Sequence, residues 1–193
     1  MELIIATHNE NKVLEFKKKL KGKYSIISLR DLNFNQDIPE NENTLKKNAI
    51  YKSKFVHRHF DSNVFSDDTG LEIEALNNEP GVKSARYSGE KNNTQKNIEL
   101  VLSKLKGITN RKARFKTVIS LIFNNENYCF EGIVNGTIID TPKGEMGFGY
   151  DPIFVADNMN KTFAEISLEE KNKISHRAIA VNKLIQFLNR KLI

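Results

Sequence analysis

Four segments of this chain carry side chains whose types and spacing suit phosphate or metal chemistry. The first, residues 7–12 (THNENK), directly follows a short apolar run. A strand that turns into a helix leaves backbone N–H groups open at the helix start, and these groups bind anions. Lys12 would lie in the first helical turn, where the helix dipole disfavours a cation unless an anion is bound. The segment predicts either a phosphate-binding turn or an Asn-capped surface helix with an incidental lysine.

The second segment is a helix expected after Thr44. Helical spacing places Asn48 and Lys52 on the same side as its apolar stripe. A lysine there either extends its ammonium outward to water or meets an anion. The preceding loop carries Glu40 and Glu42, whose carboxylates are either metal ligands or ordinary loop acids.

The third segment is Asp67-Asp68-Thr69-Gly70, which we expect at the carboxyl end of a short strand over residues 64–66. Ligand sites in open α/β sheets cluster at such ends. If the backbone stays extended, the two aspartates point to opposite faces and have different roles. The alternative is a turn, since an acid pair before glycine is typical of one.

The fourth segment is glycine-rich and covers residues 144–152. Glycines let a ligand approach the backbone closely, and the rings of Phe148 and Tyr150 offer flat faces for a purine. The alternative to a ligand-binding segment is a glycine-rich turn whose aromatic side chains pack in the core.

Three cationic side chains follow near two expected helix starts: Lys171, His176 and Arg177. They are either ligand contacts or solvated charges beside helix caps.

The elements that must position these segments alternate along the chain. Strands are expected at 3–6, 24–28, 64–66 and 70–76, and helices at 11–20, 44–60 and 93–105, with Thr44 as an N-cap. Residues 115–123 and 128–139 flank an Asn-rich turn and predict a long hairpin, so the sheet is expected to be mixed. A capping box at residues 167–170 opens a short helix. A final helix follows Ser175, with an apolar stripe of Val181, Leu184, Ile185 and Leu188. The pattern predicts the α/β class.

Composition narrows the function classes. The length of 193 residues suits either one compact domain over residues 1–193 or two closely joined lobes, and a hydrophobic fraction of 39% is adequate for a core. No apolar run is long enough for a membrane span or a signal peptide, so we expect a cytoplasmic protein. One cysteine, Cys129, excludes an internal disulfide, and its apolar neighbours predict a buried thiol.

The net charge of +6 favours an anionic partner without naming it. Nucleic acid and a phosphorylated small molecule both fit this charge. The basic residues are mostly lysine and are spread along the whole chain, and no RNA-binding or helix-turn-helix signature is present.

Taken together and in this order, these segments resemble one family, the inosine/xanthosine triphosphate pyrophosphatases. The similarity covers nearly the whole chain and is carried by the following residues: Thr7-His8-Asn9, Lys12, Glu40, Thr44, Asn48-Ala49, Lys52, Ser66 to Leu71, Pro80-Gly81, Ser84 to Gly89, Gly147 to Pro152, Lys171 and Ser175-His176-Arg177. The chain departs from the family pattern at three places: Glu42 where glycine is common, Leu45-Lys46-Lys47 before Asn-Ala, and Thr69 where bacterial relatives usually have serine.

The resemblance implies an elongated two-lobed α/β fold around a central mixed sheet, with an active-site cleft between the lobes. It also implies a homodimer that converts aberrant purine nucleoside triphosphates (ITP, dITP and XTP) and water to the monophosphate and pyrophosphate. Such hydrolysis keeps these nucleotides out of DNA and RNA. No nucleic-acid or membrane partner is expected.

The resemblance also assigns the site residues. Mg²⁺ would bind Glu40 and Asp68, with Asp67 as an alternative ligand, and Asp68 would be the catalytic base. The triphosphate would contact Thr7, His8, Asn9, Glu10, Asn11, Lys12, Lys52 and Thr69. The base would contact Phe148, Gly149, Tyr150, Asp151, Lys171, His176 and Arg177. A donor such as His176 or Arg177 would select the purine 6-oxo group, and no residue is assigned to the exclusion of guanine. A related pyrophosphatase acting on modified pyrimidines is the nearest alternative, and a basic nucleic-acid-binding domain is the alternative from another class.

Overall fold

A computed structural model describes residues 1–22, 24–90 and 93–191. Strands and helices alternate, as expected. The strands are β1 (Glu2–Ile5), β2 (Ser25–Ser28), β3 (Val64–Ile73), β4 (Glu79–Pro80), β5 (Lys112–Phe123), β6 (Glu126–Ile138) and β7 (Phe154–Ala156). The helices are α1 (Glu10–Leu20), α2 (Leu45–Phe60), α3 (Thr94–Lys104), α4 (Leu168–Ile174) and α5 (His176–Lys191). Short 3-10 helices cover Glu74–Leu76, Gly81–Arg86 and Asp151–Ile153.

The strands form a seven-stranded sheet in the order β2-β1-β3-β5-β6-β7, with β4 paired to β3. β1 runs parallel to β2 and β3, whereas β4 is antiparallel to β3 and β7 is antiparallel to β6. The sheet is therefore mixed. The predictions of a mixed sheet and of the α/β class are both confirmed. The expected hairpin is present as β5 and β6. Its two turn residues, Asn124 and Asn125, have φ of 50° and 65°, which suits a two-residue hairpin turn.

The chain divides into two compact units. Unit 1 comprises Met1–Asp68, Thr117–Gly132 and Ala178–Ile193, and unit 2 comprises Thr69–Lys116 and Ile133–Arg177. In unit 1, alternate residues of β1 and of the position after it enter different hydrophobic clusters: Leu3 and Ile5 pack with α1 and α5, and Ile4 and Ala6 pack with α2. Because both faces are covered, residues 3–6 are continuously apolar. The core of unit 2 is built around Leu71, Ile73, Phe115, Phe154 and Phe163.

The helix caps follow the sequence prediction closely. Thr44 caps α2 by accepting a hydrogen bond from the Lys47 backbone N–H at 3.1 Å. Ser167 and Glu170 form a reciprocal capping box at α4. The expected apolar stripe of α5 is buried and consists of Val181, Leu184, Ile185 and Leu188.

Two sequence expectations are wrong. Cys129 is exposed rather than buried. Successive side chains of β6 point to opposite faces of the sheet. Tyr128 and Phe130 share the face that packs against Phe187, so Cys129 between them lies on the other face. The second error concerns the strands expected at 64–66 and 70–76: one continuous strand, β3, covers Val64–Ile73, and a 3-10 helix covers Glu74–Leu76.

The acid pair therefore lies inside β3 and not at a strand end or in a turn. Gly70 is explained by a close backbone approach, since a Cβ there would lie 2.5 Å from the carbonyl oxygen of Gly81. Across the described ranges, no helix has both the length and the apolar character that crossing a membrane requires.

Candidate active site

The start of α1 is organised by short polar side chains. Asn9 is the N-cap, and its Oδ1 accepts the Lys12 backbone N–H at 3.1 Å, while Thr7 Oγ1 accepts the Asn9 N–H at 3.2 Å. Glu10 and Asn11 form the first positions of the helix, and the exposed His8 lies before it, with its Nε2 bonded to the carbonyl of Gln36. This geometry directs the Lys12 ammonium to Asp67 Oδ2, 3.1 Å away.

Lys52 projects from the buried face of α2 and is only 3% exposed. Its Nζ donates to Glu40 Oε1 at 2.7 Å and to Asp68 Oδ1 at 3.1 Å. Burial alone would lower the pKa of Lys52, but the attraction of the neighbouring carboxylates outweighs it and raises the pKa. Of the two possibilities left by the sequence, Lys52 meets anions and does not extend to water.

The aspartates of β3 face different partners, as extended backbone requires. Asp67 is fully buried against Lys12, whereas Asp68 is 7% exposed and contacts Lys52 and Asn48. Burial raises the pKa of Asp68, and the positive charges of Lys52 and Lys12 offset this only in part. A carboxyl with a raised pKa beside a fixed cation is the type of group that moves protons in active sites.

We call these five residues, Lys12, Glu40, Lys52, Asp67 and Asp68, the carboxylate–lysine network. With every member ionised, three negative and two positive charges leave a net charge of −1. Carboxylate oxygens are the hard ligands that Mg²⁺ prefers. Glu40 and Asp68 already converge on one cationic group, so their donor chemistry and placement fit a divalent cation.

In the part of the chain that the structure describes, no three His, Cys, Asp or Glu side chains form a metal site by themselves. The two carboxylates of Glu40 and Asp68 instead fit a site in which the protein supplies only part of the metal's ligands. Mg²⁺ commonly takes one or two carboxylates and completes its shell with phosphate oxygens and water.

In unit 2, Asp151 organises the glycine-rich segment. It is 2% exposed, accepts the Phe148 backbone N–H at 2.8 Å and accepts the Lys171 ammonium at 2.6 Å. Gly147 has φ of 77°, and a Cβ there would collide with the Asp151 carboxylate. The glycine is thus required by both conformation and space. Gly149, with φ of 61°, also needs the left-handed region.

Phe148 is half-buried and lies beside two cations. The Lys171 Nζ is 4.8 Å and the Arg177 Cζ is 5.5 Å from the centre of its ring. Arg177 also donates from Nη2 to Thr69 Oγ1 at 3.2 Å. Lys171 and Arg177 are 2% and 3% exposed, so they are not the solvated charges that the sequence left as an alternative.

The remaining two rings of this region pack inward. Tyr150 is 4% exposed within the core of unit 2, and its hydroxyl donates to the Ser84 carbonyl at 2.9 Å. His176 is 3% exposed and stacks on Phe115 with ring centres 4.6 Å apart. Phe148 is therefore the more accessible of the two stacking candidates, Phe148 and Tyr150. We call Phe148, Asp151, Lys171 and Arg177 the aromatic–cation cluster.

A family model described as the Ham1 family matches residues 3–187. The chain belongs to the Ham1 family. A protein named dITP/XTP pyrophosphatase from Flavobacterium psychrophilum is 48% identical to it, covering 97% of this chain and 98% of the relative. A Bacillus subtilis protein of the same name is also 48% identical, covering 97% and 96%.

Solved Ham1 structures agree with this membership. The Staphylococcus aureus Ham1 protein has a TM-score of 0.89 at 42% identity and covers 99% of this chain and 100% of its own. A HAM1 protein from Coxiella burnetii has a TM-score of 0.89 at 34% identity, covering 98% and 99%. The family resemblance found in the sequence is confirmed over residues 3–187.

Sequence reasoning missed the role of one buried residue of this Ham1 protein. Asn48 bonds to Asp68 at one end and to the loop containing Glu40 at the other. Its spacing of four residues from Lys52 on a helix indicates that both share a face. The sequence prediction already placed both residues on one side of the helix, but the sequence does not show which groups lie opposite that face.

Proposed function

We propose that this chain hydrolyses aberrant purine nucleoside triphosphates (ITP, dITP and XTP) to the monophosphate and pyrophosphate, and so keeps them out of DNA and RNA. The carboxylate–lysine network carries the proposal, because it brings carboxylate oxygens and two lysine ammonium groups into contact in a Ham1 chain, with Lys52, Asp67 and Asp68 buried. Full-length relatives named dITP/XTP pyrophosphatase support the reaction and the substrate class. On this proposal residues 1–193 act as one catalytic domain.

We assign Glu40 and Asp68 as the ligands of Mg²⁺, with Asp67 as an alternative, since their hard oxygen donors fit this ion. When bound, the ion supplies charge neutralisation for the phosphate oxygens and lowers the pKa of a coordinated water. Lysine side chains of the chain also neutralise the phosphate oxygens. Lys12 and Lys52 exchange carboxylate partners for phosphate oxygens, and the capped turn at residues 7–12 binds the same group through its N–H groups. Thr69 is a further phosphate contact.

Asp68 is assigned as the base that accepts the proton of the water attacking the α-phosphorus. Two observations support the role. Burial raises its pKa, and Lys52 holds one of its oxygens at 3.1 Å. Attack forms the new P–O bond at the α-phosphorus as the bond to the pyrophosphate oxygen breaks, and the two pyrophosphate phosphoryl groups leave together.

The aromatic–cation cluster is assigned to the base. Phe148 stacks on the purine, and Asp151 fixes both the Phe148 backbone and the Lys171 ammonium. Arg177 or His176 donates to the 6-oxo group of hypoxanthine or xanthine. Adenine carries an amino group there, so the buried donor would lose its acceptor, and this loss discriminates strongly between substrates. Gly149, Tyr150 and Lys171 complete the base-binding set.

A pyrophosphate-release assay tests the proposal. Purified protein with Mg²⁺ is supplied with the triphosphates of inosine, xanthosine, guanosine and adenosine, and with modified pyrimidine triphosphates as a separate set. We expect selective release from the first two nucleotides and its loss with EDTA. Release from the pyrimidines alone would assign the related pyrophosphatase activity. No release from any nucleotide by folded protein would refute the reaction and favour a binding function.

We further propose that the enzyme is a cytoplasmic homodimer with no nucleic-acid or membrane partner, as the family resemblance implies. Light scattering after size-exclusion chromatography tests the dimer. A steep loss of DNA or RNA affinity with salt, measured on the same sample, would contradict the absence of a nucleic-acid partner.

A further inference from the structure

Asn48 lies one helical turn before Lys52 on the buried face of α2 and is 1% exposed. Burying an amide is costly unless its polar atoms are hydrogen-bonded. Both ends of this side chain are bonded. Oδ1 accepts the backbone N–H of Glu42 at 3.0 Å, and Nδ2 donates to Asp68 Oδ2 at 3.2 Å.

These two bonds fix the direction of the amide. The Glu42 N–H can only donate, so it requires the carbonyl end of Asn48, and the NH₂ end must then face the carboxylate. The loop that contains Glu40 is thereby tied through one side chain to Asp68 on β3. Lys52 makes a second link between the same two carboxylates, but through a charged group.

The difference in charge separates the two links. If Glu40 and Asp68 held a divalent cation, its charge would repel the Lys52 ammonium and the lysine link would weaken. The Asn48 side chain is neutral, so a bound cation would not repel it as it would repel the Lys52 ammonium. It holds Asp68 Oδ2 and leaves Oδ1, the oxygen that Lys52 contacts, for other partners.

We propose that Asn48 is a positioning residue that holds the Glu40 loop and the Asp68 carboxylate at the separation required for divalent-cation binding. This inference rests on the metal site assigned in the proposed function. Outer partners that orient metal ligands typically contribute about 10–100-fold in metal affinity or activity, and we expect an effect of that size.

The test compares Asn48→Ala with Asn97→Ala. Asn97 is a matched control because it is 4% exposed on α3 and also bridges two points of the backbone, accepting the Ser88 N–H at 2.8 Å and donating to the Ser84 carbonyl at 3.4 Å. The first measurement is Mn²⁺ binding to nucleotide-free protein, followed by electron paramagnetic resonance. We expect Asn48→Ala to weaken Mn²⁺ binding by about 10-fold or more and Asn97→Ala to leave it near the wild-type value.

A third variant separates positioning from loop anchoring. Asn48→Asp keeps an acceptor for the Glu42 N–H but places a carboxylate oxygen against Asp68 where a donor is required. We expect turnover of ITP at saturating Mg²⁺ to fall with Asn48→Asp as well as with Asn48→Ala. Circular dichroism of each variant confirms that the protein compared is folded.

Three outcomes would overturn the inference: wild-type Mn²⁺ affinity in Asn48→Ala, an equal loss in Asn97→Ala, or wild-type turnover in Asn48→Asp. The Mn²⁺ measurement needs no nucleotide. A wild-type protein that binds Mn²⁺ but releases no pyrophosphate would therefore refute the proposed reaction while the positioning role is still tested.

Discussion

Lys52→Met is the most informative single change, because it removes the cation from the network and keeps a side chain of similar length. In the wild type the ammonium contacts Glu40 at 2.7 Å and Asp68 at 3.1 Å while only 3% exposed. Removing one partner of a buried ion pair leaves uncompensated charge and typically costs about 3–5 kcal/mol. We expect the free energy of unfolding at pH 7 to fall by an amount in that range when EDTA is present.

The loss should depend on pH with a defined sign. Burial already raises the pKa of Asp68, and removal of Lys52 raises it further. A carboxyl whose pKa in the folded state lies above its unfolded value of about 3.9 takes up a proton more readily when folded. The destabilisation is thus fully present above the folded-state pKa, and it diminishes as the pH falls through that value toward the unfolded one.

Urea unfolding followed by circular dichroism measures the effect at pH 5, 6, 7 and 8. Lys104→Met is the matched control, because Lys104 pairs with Glu79 at 2.8 Å but both side chains are exposed. Such a surface pair is worth about 0–1 kcal/mol. Mg²⁺ should restore stability to Lys52→Met more than to the wild type, since it replaces the missing positive charge. Equal stability of Lys52→Met and wild type at pH 7 would refute the electrostatic account of the network.

Three further changes test the assigned roles. Asp68→Asn should lower kcat by at least about 100-fold while the fold is retained, since a general base contributes that much or more; near-normal turnover would remove Asp68 from the role. Arg177→Ala should reduce the preference for ITP over ATP, measured as a ratio of kcat/KM, by about 10-fold or more, as expected for loss of a charged hydrogen-bond donor. Thr69→Val should reduce the same ratio, because Arg177 loses a partner at 3.2 Å, and Thr69→Ser should preserve it. If all Thr69 variants keep the wild-type ratio, the hydroxyl does not orient Arg177.

The sequence was sufficient where local chemistry decides the structure. Thr44 and Ser167 cap their helices as predicted, because capping needs only residues within one turn. The Asn-rich turn between β5 and β6 was predictable for the same reason. The helical stripe of α5 followed from periodicity alone.

The sequence was insufficient where a distant group decides. A turn at Gly70 was one of two possibilities that the sequence left open, whereas the backbone of Gly81, brought close by the fold, accounts for this glycine. The neighbours of Cys129 are apolar, but strand alternation places them on another face. The partners of Lys52 lie 12 and 16 positions away in the chain, so whether it meets an anion depended on packing that no local pattern encodes.

The net charge of the carboxylate–lysine network differs in sign from the net charge of the whole chain. The chain carries +6, yet the network that holds Lys12 and Lys52 has a net charge of −1 when ionised. Both lysines are committed to carboxylates, so the network alone does not favour an approaching polyphosphate. On the proposed metal assignment, a divalent cation would change the net charge of the network to +1 and weaken the attraction between its carboxylates and the two lysines, which would then be available to phosphate oxygens. A basic surface attracts anions of every kind, whereas this arrangement favours those that arrive with a metal ion, as nucleoside triphosphates do.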